Sequence, residues 1–131
     1  MKKILYTIVL LFAVAITASA QAKIQFEKTS HNFGQFSESD AIQTCVFTFT
    51  NAGNQPLVLN NVVPSCGCTT PTYTKTPIAP GEKGEIKVKY NGTGKYPARF
   101  KKSITVRTNG SPEVTRLYIE GEMTEDAAAK K

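Results

Sequence analysis

Cys45-Val46-Phe47-Thr48-Phe49-Thr50 is the stretch from which the fold is read. Successive side chains of an extended chain point to opposite faces, so Cys45, Phe47 and Phe49 fall on one side and Val46, Thr48 and Thr50 on the other. Period-two alternation in aromatic and β-branched residues predicts a half-buried strand. Asn51-Ala52-Gly53-Asn54-Gln55-Pro56, directly after it, has the composition of a turn. On this reading Cys45 shares the core face with two phenylalanines and serves as a small buried hydrophobe.

Working outward, the same grammar repeats. Downstream, Leu57 and Leu59 share a face, but Asn61 stands where the next apolar residue belongs, and Val62 and Val63 follow. A bulge at Asn60-Asn61 returns Val62 to the core side and re-aims what comes next. From Pro64 to Gly84 the prolines at 64, 71, 77 and 80 predict irregular chain, with Pro80-Gly81-Glu82 as a tight turn. Ile86, Val88 and Tyr90 alternate with outward Lys87 and Lys89. Phe100, Ile104 and Val106 mark another strand, with Lys102 on their face near its end, where the ammonium reaches water. Asn109 to Pro112 reads as a turn, and Leu117 and Ile119 as the core face of the last strand. Upstream, Ile24 and Phe26 alternate, a second extended piece runs past His31 to near Phe36, and Ser37 to Asp40 reads as a surface turn. About seven short strands at even spacing, with no helical periodicity, predict an all-β, immunoglobulin-like β-sandwich. The expected domain spans 21–122, with a frayed tail over 123–131.

The first twenty residues read as a leader. Lys2 and Lys3 precede an apolar run from Ile4 to Ile16, and Ala18-Ser19-Ala20 supplies the small-x-small pattern of a signal peptidase site, placing the cut between Ala20 and Gln21. The run is shorter than the roughly 20 residues of a membrane span, so no transmembrane anchor is expected in the mature chain. Export to the periplasm or the cell surface follows. The formal charge of +6 is concentrated between Lys83 and Arg116, where nine basic residues face only Glu85 and Glu113. Such a region suits an anionic surface or an acidic protein, or simply a solvated face. Export and the lack of a basic helix argue against nucleic acid.

The ordered motifs resemble a known family. Phe47 to Gly53, then Pro56-Leu57-Val58-Leu59, then Val62 to Thr69 ending Ser65-Cys66-Gly67-Cys68-Thr69, then Ile78-Ala79-Pro80-Gly81-Glu82, and finally Phe100 to Asn109 look like the Domain of Unknown Function 1573 family. The resemblance covers nearly all of the expected mature chain. It implies an exported bacterial protein with an immunoglobulin-like fold, similar to Hydin-type and major-sperm-protein-like modules, most of which bind other proteins. It implies no established activity, and fold-level analogy supplies none. Ala98 departs from the pattern, which has glycine there, and Cys45 belongs to none of these motifs.

Chemistry, if any, belongs to Cys66, Gly67, Cys68 and Thr69. Residues two apart lie roughly 5.5 to 7 Å apart, within reach of the 4.4 to 6.8 Å Cα separation of a disulfide, and Gly67 tolerates the bend. Three readings stand side by side. The pair closes a local bond that stiffens the loop; or it exchanges disulfides, which needs a thiol with a depressed pKa although the nearest cation in sequence is Lys75; or Cys66 and Cys68 bind copper(I) or zinc, with His31 and Cys45 bringing the ligand count to four. A single histidine leaves no material for most Ser/His/Asp or Cys/His arrangements. The expectation is a non-enzymatic binding or structural module without a cofactor, its partner another envelope protein met by a strand edge or by the cysteine loop.

Overall fold

A computed structural model describes residues 20–125 of the chain. Positions 1–19 of the expected leader and 126–131 of the expected tail lie outside the described residues. Eight strands form: β1 (Ile24–Phe26), β2 (Ser30–Ser37), β3 (Ile42–Asn51), β4 (Leu59–Pro64), β5 (Thr69–Tyr73), β6 (Lys83–Asn91), β7 (Arg99–Thr108) and β8 (Val114–Thr124). They build two four-stranded sheets, one ordered β1-β3-β6-β5 and the other β2-β8-β7-β4. The molecule is a β-sandwich, as the alternation predicts.

The core follows from that alternation. In β3, Cys45, Phe47, Phe49 and Asn51 point inward, and in register with them β6 contributes Val88, Ile86 and Gly84. The second sheet answers with Ile104 and Val106 from β7 and Leu117 and Ile119 from β8, all fully buried. Burying each such side chain contributes about 1.5–3 kcal/mol. β2 pairs in parallel with β8, and its register shifts between Asn32 and Gln35. Gly34 sits there at φ 70°, a left-handed conformation that glycine adopts without a Cβ clash. The extra residue puts Phe33 and Phe36, three apart, on the same inner side.

The expected bulge near Asn60 is present as a register shift between Leu59 and Asn61; Val62 returns to the core and Val63 is 46% exposed. Three expectations need correcting. The segment predicted as irregular contains β5, paired with β6 from Thr69 opposite Tyr90 to Tyr73 opposite Ile86; Pro71 is tolerated because β5 is an edge strand. The last strand also runs beyond the expected domain end at 122, and Met123, placed in the tail, is only 3% exposed. Finally, the basic segment forms no single face. Lys83, Lys87 and Lys89 project from β6 on the outside of one sheet, whereas Arg99, Lys101 and Arg107 of β7 and Arg116 of β8 project from the other. Lys83 meets Glu27 at 3.4 Å and Arg99 meets Glu122 at 3.5 Å,. Among the described residues no helix is long and apolar enough to cross a membrane.

Candidate functional site

β4 is an edge of one sheet and β5 an edge of the other, so the chain between them must change sheets at a corner of the sandwich. Cys66-Gly67-Cys68 is that corner. Pro64 ends β4, Ser65 N–H donates to Ser103 O at 2.8 Å, and Ser103 N–H donates back to the Ser65 hydroxyl at 3.1 Å. On the far side, Asn91 N–H donates to Cys68 O at 2.8 Å, holding the corner to the end of β6. Between these anchors Cys66 and Cys68 are joined by a disulfide, with their Cα atoms 5.3 Å apart. Cys68 N–H also points at Cys66 Sγ, 3.3 Å away.

Thr69 is the other member of the site. It is 2% exposed, and its hydroxyl lies 3.8 Å from both sulfurs. It is a neutral group, and no hydrogen bond or ion pair joins a charged side chain to either sulfur among the described residues. A reactive thiol needs a cation, a helix N-terminus or a base nearby to favour its thiolate. Cys68 also packs against the hydrophobic core, so the bond extends the core outward to the corner. The arrangement braces the junction of two edge strands. Gly67, at the tip of the corner, faces solvent.

The other sequence-derived candidates are dispersed. His31 lies on β2, at the opposite edge of its sheet from β4, roughly 14 Å away at ~4.8 Å per strand. It accepts a hydrogen bond from Lys28 Nζ at 2.8 Å and packs against Phe33. Burial first, and the Lys28 cation second, hold its pKa below the ordinary histidine value. Cys45 is buried between the sheets opposite Val88, as the alternation predicts, and burial pushes its thiol up to about 11 despite an opposing influence from Lys28. The donor set of Cys66, Cys68, His31 and Cys45 is therefore not assembled, and no group of three or more metal-ligating side chains occurs among the described residues. Ala20 and Gln21 are exposed at the start of the described chain.

Two features of the surface escaped the sequence reading. Tyr96 is 93% exposed in the loop between β6 and β7. That loop leaves β6 at Asn91, whose N–H holds Cys68 O of the corner, and its first residue, Gly92, donates its N–H to Ala41 O just before β3. An aromatic residue set between Gly94 and Pro97, where no strand pattern can bury it, is the signal that marks it. The second is an open depression of about 480 Å³ on the outer face of β2, β8 and β7, rimmed by Asn32, Gln35, Arg99, Lys101, Glu120 and Glu122. Glu122 is engaged by Arg99 and by Gln35 Nε2, and Lys101 stands opposite Glu120.

The family model described as "Protein of unknown function (DUF1573)" matches residues 24–123. No curated protein sequence matches the chain. Among solved structures, a protein of unknown function from Porphyromonas gingivalis W83 superposes with a TM-score of 0.67 at 20% identity, over 82% of this chain and 50% of that one. The chain thus spans half the length of that protein. The ASH/PapD-like domain 7 of human CEP192 superposes with a TM-score of 0.61 at 10% identity, covering 85% and 92% of the two chains. The periplasmic chaperone SfaE gives 0.55 at 9% identity, covering 80% and 59%. At these identities the likeness is one of fold.

Proposed function

The chain belongs to the DUF1573 family, and from that membership and the corner geometry we propose that it acts as an exported, non-enzymatic binding module. It holds another envelope protein against the end of the sandwich that carries both the disulfide corner and the Tyr96 loop. One observation carries the reading: Cys66 and Cys68 are joined to each other where β4 and β5 change sheets, with neutral groups, the Thr69 hydroxyl and the Cys68 N–H, beside the sulfurs. Rigid edges and an exposed tyrosine are what a binding surface uses, since preorganisation spares ordering entropy and tyrosine is enriched among interface anchors. The leader, the disulfide's need for an oxidising compartment and the likeness to a periplasmic chaperone support export.

The state of the sulfurs tests the non-enzymatic part. Intact mass of the purified protein, with thiol alkylation, is expected to show no reactive thiol in the native fold, one after unfolding (Cys45) and three after unfolding with reductant, with no metal bound. Cys45 stays protonated at pH 8 because its buried thiol titrates at about 11. The double change Cys66→Ser, Cys68→Ser is expected to lower stability by about 1.5 kcal/mol, the value for closing so small a loop. Stoichiometric copper or zinc lost in that variant, or rapid exchange of the bond with a small thiol in the native protein, overturns the reading in favour of metal or redox chemistry.

Placement of the surface is tested with a photo-crosslinking residue at Tyr96 or Val63, compared with Gln25 on β1 at the far edge. Adducts of one defined mass are expected in the native host from Tyr96 and Val63 and not from Gln25. Equal adducts from all three positions would refute this placement.

A further inference from the structure

The fold grips the chain directly after the expected leader cut. Ala22 is buried, and its carbonyl accepts from Ser111 N–H at 2.9 Å. Lys23 O accepts from Ala52 N–H, and Gln21 O from Asn54 N–H at 3.0 Å. Gln21 N–H donates to Asn54 Oδ1 at 2.8 Å. The Gln21 side chain, in contrast, is exposed and makes no hydrogen bond among the described residues.

We infer that Gln21 is a modification site: once the Ala20–Gln21 bond is hydrolysed, the new terminus closes to pyroglutamate and is held in that form by Asn54. This rests on the export reading, which supplies the cut. The chemistry needs no co-reactant. The uncharged α-amine of Gln21 attacks its own side-chain Cδ, the Nα–Cδ bond forms, the Cδ–Nε2 bond breaks, and the amide nitrogen leaves as ammonia carrying one proton from the α-amine. An α-amino group has a pKa of about 7.7–8.0, so roughly a tenth of it is in the attacking form at neutral pH.

The structure suits the product as well as the reaction. A lactam nitrogen keeps one N–H, and the fold offers that nitrogen one acceptor, Asn54 Oδ1. The Gln21 carbonyl keeps its bond from Asn54 N–H. The side-chain amide that departs has no hydrogen-bond partner to lose among the described residues. Closing the terminus removes one positive charge and the free amine that an aminopeptidase requires, at the point where trimming would undo the seating of β1.

The test is mass spectrometry of the full chain expressed with its leader and recovered as the exported protein, with labelling of α-amines. The expected result is a chain beginning at Gln21, lighter by one ammonia and refractory to the amine label, while Gln21→Ala gives a labelled terminus of unaltered mass. In Asn54→Ala the ammonia is still lost, but the lactam N–H exchanges faster with solvent. A chain that starts at Gln21 with its amide intact and its amine labelled overturns the inference and leaves export standing. A recovered chain that retains residues 1–20 overturns export itself.

Discussion

Asn51→Leu is expected to lower the unfolding free energy by about 4 kcal/mol. Asn51 is completely buried at the end of β3, and its side chain fills four hydrogen-bonding roles. Nδ2 donates to Gln55 O at 2.7 Å and to Ile78 O at 2.9 Å, and Oδ1 accepts from Gly53 N–H at 3.0 Å and Lys23 N–H at 3.3 Å. Three separate segments thereby converge on one amide: the entry to β1, the turn after β3, and the chain before β6. Leucine keeps the branching at Cγ, so the site stays filled while the amide's hydrogen bonds go. It strands Gln55 O and the Gly53 and Lys23 N–H groups, each costing about 1–3 kcal/mol where water stays out, while Ile78 O keeps its bond from Leu57 N–H. Water reaches some of them, which holds the total below the sum. Against a domain stability of about 5–15 kcal/mol, this removes a large share. Urea denaturation should show the midpoint falling with the slope preserved. A loss under about 1 kcal/mol would mean that the amide is not the junction described.

Gly53→Val is expected to cost about 3 kcal/mol and to release the segment 21–23. A Cβ at this position meets Gln21 O, Lys23 N at 2.6 Å and Ala22 C at 2.9 Å. All three are backbone atoms and cannot turn aside as a flexible side chain can. The segment 21–23 must leave its seat, taking with it the bonds to Ala52, Asn54 and Ser111. Hydrogen exchange in β1 should rise well above that in β7, and an endoprotease should begin to cut within the released segment. Uniform destabilisation without preferential loss at β1 would contradict this account.

These two residues show how much of the molecule the sequence discloses. Alternation placed Cys45, Phe47 and Phe49 on the core face, and Asn61 in an apolar slot revealed the bulge before the cysteine corner. Both are local patterns. Asn51 and Gly53 were legible only as turn residues, because what they contact lies some thirty positions away. β5 was missed because Thr69-Thr70-Pro71-Thr72-Tyr73 presents little apolar alternation: its buried member is a threonine, and an edge strand needs only one good partner. The end of β8 was missed because Gly121 interrupts the series Leu117, Ile119, Met123; a Cβ there would press on the Phe100 ring, so the gap in the pattern is itself a packing requirement. The basic run looked like one surface because sequence distance does not show that β6 and β7 belong to different sheets. The cysteine pair was found at once, but its place at a sheet-changing corner required the strand order.

The parallel pairing of β2 with β8 has a consequence in time. Ser30 lies opposite Tyr118 and Ser37 opposite Thr124, so a strand made early finds its neighbour only when nearly all of the domain is available. Local contacts form within microseconds, but sheets joined across such sequence distances fold in milliseconds to seconds. A polypeptide emerging from a ribosome or a translocation channel cannot close this sandwich part-way: its second sheet lacks a strand until β8 has come through. Under the export reading, the same topology that locks the finished domain keeps the unfinished chain extended enough to be threaded.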